Sequence, residues 1–206
     1  MTETQEAVPK QSSDVDRFVE KAELSAAFVS TISSFEEAVS YAIELCLKRP
    51  LTRYAISDEA VDVSGVRKVI AAPFLHASEY GLLSQKCSEN TIDCIDSGMR
   101  DHLSGVDVGL SYGDLGLAET GTLVLNCPDE ELRLSTMLCE YHVCVLPKSK
   151  IYADGYEAEG QLQKFMLDAP TYTAFITGPS RTADIERVLS IGVHGPLELH
   201  ILILEE

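Results

Sequence analysis

Apolar residues recur at helical spacing in two stretches near the start of the chain. In DVDRFVEKAELSAAF, residues 14–28, Val15, Phe18, Val19 and Ala22 fall on one face, and Ser13 or Asp14 can cap the first turn. In SSFEEAVSYAIELCLKR, residues 33–49, Phe35, Val39, Ala42, Ile43 and Cys46 form the stripe. Ser33 or Ser34 can cap this second helix. Glu36 and Glu37 suit the positive end of its dipole, Lys48 and Arg49 suit the negative end, and Pro50 stops it. Short apolar runs follow: RYAIS (53–57), KVIAAP (68–73), TIDCI (91–95), DVGLS (107–111), TLVLN (122–126), HVCVLP (142–147), YTAFIT (172–177) and LHILIL (199–204). Several are continuous rather than alternating, which is how strands covered on both faces read.

Segments of helical composition, LHASEYGLLSQK and YADGYEAEGQLQKFMLD, lie between these runs. The alternation predicts an α/β fold, a Rossmann-like and mostly parallel sheet with helices on both faces. LGLAETGTLVLN departs from it. Two apolar stretches flank Thr120-Gly121 there, predicting a tight hairpin turn or a bulge. Residues 1–13 are polar and acidic and read as a disordered tail, leaving 14–206 as one domain.

Charge narrows the partners. The 206 residues carry a formal charge of −17, which argues against nonspecific nucleic-acid binding and against docking on anionic lipid. No run of 18 apolar residues is present, and the N-terminus lacks a basic-then-apolar leader, so no membrane insertion and a cytoplasmic location are expected. The six cysteines, Cys46, Cys87, Cys94, Cys127, Cys139 and Cys144, form no C-x-x-C pair and have neither zinc nor iron–sulfur spacing. They read as buried free thiols.

In open α/β sheets ligands gather beyond the carboxyl ends of strands. The most specific such segment is TGPSRTADIE, residues 177–186. Gly178 permits an unusual backbone angle or a close approach, and Pro179 fixes the turn. A helix is expected to begin near Ser180–Thr182, where its free N–H groups and Arg181 make a site for carboxylate or phosphate. The plainer alternative is a helix cap at Ser180 or Thr182, with Arg181 paired to Asp184 or Glu186. Glu119, in LAETGTL, can be a nucleophile or base, or an exposed turn acid beside Thr120 and Thr122. Asp114 follows the DVGLS run as a second candidate acid. His194, Glu198 and His200 match no closed zinc motif, and no metal site is assigned. Neither a Walker loop, a nucleophile elbow nor a dinucleotide fingerprint is present.

LAETGTLVL (117–125), TGPSRTADIE (177–186) and GVHGPLELHILIL (192–204), in that order and spacing, resemble the LUD-domain family. The resemblance implies the fold of the glucosamine-phosphate deaminase, ribose-phosphate isomerase and CoA-transferase superfamily. It also implies a part in oxidising L-lactate to pyruvate beside iron–sulfur partner proteins. Longer members carry cysteine-rich cluster motifs after the domain. This sequence has none, so it resembles the short component, and no intrinsic cofactor is expected. The first motif matches Glu119, Thr120, Gly121 and Thr122. The second matches Gly178, Ser180, Arg181 and Thr182, with Asp184 and Glu186, and the third includes His194, Glu198 and His200. Glu119 and Asp114 are taken as the candidate catalytic acids, and Thr120, Gly121, Thr122, Gly178, Ser180, Arg181, Thr182 and His194 as candidate contacts to a small anion. Tyr112-Gly113-Asp114 departs from the Gly-Ala-Asp usual in the family. The superfamily also allows an enzyme acting on a sugar phosphate or an acyl-CoA, and the partners allow a purely structural adaptor.

Overall fold

The computed structural model describes residues 10–49, 66–102, 104–167, 172–182, 190–191 and 195–205. The expected strand at 53–57 lies outside them. Helix α1 spans Lys10–Leu24, strand β1 Phe28–Ile32 and helix α2 Phe35–Lys48. Then come β2 (Val69–Ala71), α3 (Ala77–Glu89), β3 (Asp93–Ile95), β4 (Val106–Tyr112), β5 (Leu115–Leu117) and β6 (Thr122–Cys127). The order continues with α4 (Glu130–Leu138), β7 (Cys139–Pro147), β8 (Ile151–Tyr152), α5 (Glu159–Leu167), β9 (Tyr172–Ile176), β10 (Arg181–Thr182), β11 (Ser190–Ile191) and β12 (Glu198–Leu204).

Six strands form one sheet in the order β1-β12-β7-β4-β2-β3, and every pairing in it is parallel. Side chains alternate across it as the strand period requires. In β7, Tyr141, Val143 and Val145 face α2 and α3, with Leu202 of β12 beside them. Cys144 and Leu146, with Leu199, Ile201 and Ile203 of β12, face the other way. These strands are apolar on both sides because both sides are covered, as their continuous runs predict.

The second covering layer differs from expectation. Helices α1 and α4 cover part of it, and a second sheet covers the rest, ordered β8-β5-β6-β9. Its β5/β6 and β6/β9 pairings are antiparallel. The runs TLVLN and YTAFIT therefore belong to this sheet and not to the parallel one. Leu123 and Leu125 of β6 face the common core, while Val124 faces α5.

Helix α1 starts at Lys10, ahead of the expected caps at Ser13 and Asp14, and stops four residues before Phe28. Ala26 adopts φ 65°, and the N–H groups of Ser25 and Ala27 bond back to the Ala22 carbonyl at 3.0 Å each. This turn frees FVSTI to become the edge strand β1. In α2 the expected stripe is buried at Val39, Ala42, Ile43 and Cys46, and Ser34 caps the helix by accepting from Glu37 N. The last turn of α2 is held by Lys68, whose ammonium donates to the carbonyls of Cys46, Leu47 and Arg49.

The β5–β6 connection is the tight turn the glycine predicts. Gly121 has φ +64°, and a Cβ there would overlap the backbone of Lys21 and Ala22. Gly121→Ala therefore combines left-handed strain with a clash against helix backbone that cannot swing aside. A cost of about 3 kcal/mol is expected, which lowers the melting temperature by roughly 6–12 °C for a chain of this size. Calorimetry or circular dichroism melting checks this.

Candidate functional site

The three sequence motifs meet at one seam, where the second sheet touches the end of α1. Thr122 links the first two: its hydroxyl lies 2.7 Å from that of Thr120 and 2.7 Å from that of Thr177. Gly178, at φ +72°, is packed so closely on the Ser25 carbonyl that no side chain fits. The Arg181 guanidinium donates to that same carbonyl. The second motif joins the third through Ser180, whose N–H donates to the Pro196 carbonyl at 3.0 Å.

This geometry corrects the expected helix start. Arg181 and Thr182 pair antiparallel with Ile191 and Ser190 as a short ribbon. The Ser180 N–H is already bonded, so it is not offered to an anion as a helix N-terminus would offer it. Arg181 instead serves the carbonyl end of α1, where a cation is also favourable. Asp184, Glu186 and His194 lie outside the described residues.

Beside the seam runs a cleft of about 360 Å³. One wall is β9 and the loop after it, from Tyr172 to Ser180; the other is the end of α4, with Arg133, Thr136 and Met137. Gly195, Pro196 and Leu199 close it, and His142 lies in its floor. The segment following β9 does lie at a strand's carboxyl end, but relative to the parallel sheet the cleft is at the amino ends of β7 and β12. Arg133 is the one charged residue in its described lining. The guanidinium stacks over the Tyr172 ring at 5.3 Å and meets Glu130 Oε2 only at 3.5 Å.

The two candidate acids lie elsewhere, at opposite ends of β5. Glu119 is exposed on the hairpin turn, its N–H bonded to the Ala153 carbonyl at 3.0 Å. Asp114 follows β4 in a smaller crevice of about 190 Å³ with Phe74, Tyr112 and Asn126. Chain order reverses between β2 and β4, so this crevice occupies the switch point where ligands often bind. Burial raises the Asp114 carboxyl above its ordinary range, opposed by the 2.7 Å bond from Asn126 N and by Lys150. Tyr112 donates to Glu79 at 2.6 Å. Glu198 and His200 of the third motif are likewise engaged. Glu198 pairs with Arg49 at 2.5 Å and with His200 Nε2 at 3.0 Å, and His200 Nδ1 meets the Tyr41 hydroxyl at 2.8 Å. Among the described residues no three His, Cys, Asp or Glu side chains group as a metal site.

Residues 15–204 match the family model described as LUD domain. This chain belongs to the LUD-domain family. Lactate utilization protein C of Shouchella clausii is 32% identical over 154 residues, 72% of this chain and 67% of that protein. Its namesake in Macrococcus caseolyticus is 36% identical over 103 residues, 48% of this chain and 45% of that one. The chain thus spans between about half and two thirds of these relatives' lengths. A crystal structure of a DUF162-family protein from Deinococcus radiodurans superposes with a TM-score of 0.62 at 14% identity, covering 96% of this chain and 99% of that one. That likeness supports the fold alone.

In this LUD domain the motif residues reach the cleft unevenly. Gly178 and Ser180 line it, Thr120, Gly121 and Thr122 stand behind it, and Arg181 ties it to α1. Sequence reasoning missed Arg133, Thr136, Met137 and Tyr172. Arg133 is the single basic residue of α4, and its only local signal is Glu130 three positions earlier, which reads as a surface pair. No helix among the described residues is long and apolar enough to cross a membrane.

His142, in the cleft floor, is fully buried and its Nε2 meets Ser111 Oγ at 2.9 Å. Burial, helped by nearby His200, pushes its imidazole down to about 4 from the ordinary 6.5. The unfolded chain therefore takes up this proton at higher pH than the folded one. The stability is fully present above about 6.5 and is lost as pH falls towards about 4. His142→Gln should shrink the stability difference between about pH 7 and pH 4.5 by about 2 kcal/mol, read from urea unfolding at both values. An unchanged difference would place the acid sensitivity elsewhere.

Proposed function

We propose that this chain is a component of an L-lactate utilization system, and that the cleft beside Arg133 holds a small carboxylate, lactate or the pyruvate formed from it. One observation carries the reading. In a chain of formal charge −17, the described lining of this cleft contains an arginine and neither Asp nor Glu. An acidic protein repels anions from most of its surface. A guanidinium in a recess without carboxylates is where an anion meets least opposition. The crevice around Asp114 is the opposite case, since its neighbour hollow is lined by Asp96, Asp129 and Glu131.

The names of the relatives supply the substrate class. The lactate utilization protein C sequences align over as much as 72% of the chain. The Arg133 guanidinium lies over the Tyr172 ring at 5.3 Å, and its N–H groups suit a carboxylate taken up as a two-pronged fork. The Ser180 and Thr177 side chains on the opposite wall suit the hydroxyl or keto oxygen. Glu119 and Asp114 stay outside this cleft, and the reading gives neither an acid–base step. Lactate oxidation releases two electrons, and we assign their uptake to iron–sulfur partner proteins, as the family resemblance implies.

Thermal unfolding with lactate, pyruvate and a neutral analogue such as lactamide tests the proposal. A ligand at about one hundred times its dissociation constant adds about 2.7 kcal/mol, a rise of roughly 5–10 °C. The rise should appear with the acids and not the amide. It should vanish in Arg133→Gln and shrink in Arg133→Lys, because an ammonium cannot reproduce the fork. A full rise in Arg133→Gln, or none in the wild type, contradicts the reading.

A further inference from the structure

The crevice at the carboxyl ends of β2 and β4 holds acceptors that the proposed lactate site does not use. Asn126 of β6 lines it, and the Asn126 Oδ1 is buried without a hydrogen-bond partner. Among the described residues it is the one buried side-chain oxygen or nitrogen left so. Such an atom forfeits its hydration for nothing, and its retention calls for a reason. Beside it, Asp114 Oδ2 accepts from Asn126 N at 2.7 Å, and a carboxylate has a second oxygen to offer. The walls are largely apolar and held in place. The Tyr112 ring stacks on Phe35 at 5.7 Å, and its hydroxyl is tied to Glu79. Phe74 follows β2 at φ 68° and is 55% exposed. Its ring is a wall both of this crevice and of the neighbouring hollow of about 530 Å³.

Charge selects the ligand. Across both recesses the described lining holds Asp114, Asp96, Asp129 and Glu131 and no Lys, Arg or His. Lys150 acts on the Asp114 carboxyl from outside that lining. Three of the four acids already accept local bonds: Asp129 from Glu131 N at 2.9 Å, Glu131 from Met99 N at 2.8 Å, and Asp96 from the Ser97 hydroxyl at 2.9 Å. They supply a field, and the acceptors left for a ligand are at Asp114 and Asn126. We propose that this crevice is a second binding site, for a small flat cation of the amidinium class. Its N–H groups are shared between the Asp114 carboxylate and the Asn126 side-chain oxygen, and its apolar body lies against Phe74. The last torsion of an asparagine is soft, so the amide can turn its oxygen to such a donor. Burial penalises the charge of Asp114, and a bound cation offsets that penalty. The same charges repel lactate and pyruvate, so the two sites take opposite ligands.

The test titrates the full chain with benzamidine by calorimetry, beside benzamide and benzoate, which keep the ring and remove or reverse the charge. Benzamidine should bind with a dissociation constant of about 1 mM or tighter. Benzamide should bind at least tenfold more weakly, and benzoate should not compete. Asp114→Asn keeps an oxygen for Asn126 N and should weaken benzamidine at least tenfold. Asn126→Ala and Phe74→Ala should each weaken it at least threefold. Arg133→Gln should leave it unchanged, which separates this site from the lactate cleft. No benzamidine binding in the wild type, benzamide binding as tightly, unchanged affinity in Asp114→Asn, or loss of binding in Arg133→Gln would each overturn the proposal. The wild-type comparison decides even if a variant folds poorly.

Discussion

Helix α1 ends against two glycines that have no room for a side chain. Gly121, from the β5–β6 turn, seats on the backbone of Lys21 and Ala22, and Gly178, after β9, seats on the Ser25 carbonyl. Arg181 reaches the same carbonyl from the side. This contact fixes how the smaller, mixed sheet lies on the parallel one, because α1 leads directly into β1 at the edge of the larger sheet. The hydroxyl chain Thr120–Thr122–Thr177 then binds the two glycine segments to each other. The cleft follows as a consequence, since β9 is held at one side of the seam while α4 ends at the other.

Charge is distributed to match. Among the described residues, most carboxylates are on the helices or in the hollow at the carboxyl ends of β2 and β3. The motif-lined cleft keeps Arg133 without an acid in its described lining. Deeper in the sheet the polar groups are paired locally. Asp107 accepts from Val69 N at 2.7 Å and ties β4 to β2, and His142 meets Ser111. Each satisfies a group whose burial would otherwise cost more than a hydrogen bond contributes.

Much of the fold was legible because period and burial agree. The stripes of α1 and α2 and the continuous runs of β4, β7 and β12 follow directly from being covered on the sides they show. The hairpin at Thr120-Gly121 was legible from its glycine. Two features were not. The end of α1 carries no glycine or proline, because Ala26 itself takes the left-handed conformation, so the helical stretch read on to Phe28 and residues 29–32 were assigned no element. The run in β6 is as apolar as those of the parallel sheet because it is covered by α5 on one face and the core on the other, while β9 carries a similar run although its Tyr172 and Phe175 are about half exposed. The motifs drew attention to the seam beside the cleft, yet in the structure they serve mostly packing. Gly121, Gly178 and Arg181 serve α1, and the cation facing the cleft comes from α4, whose sequence EELRLSTML carries no binding signature.

The most direct measurement is a crystal structure grown with lactate or pyruvate. The account predicts a carboxylate bound in a fork by Arg133 over Tyr172, with the ligand's hydroxyl or keto oxygen towards Thr177 or Ser180. Ligand density at Asp114 and Tyr112 in the switch-point crevice, with the Arg133 cleft unchanged, would contradict it.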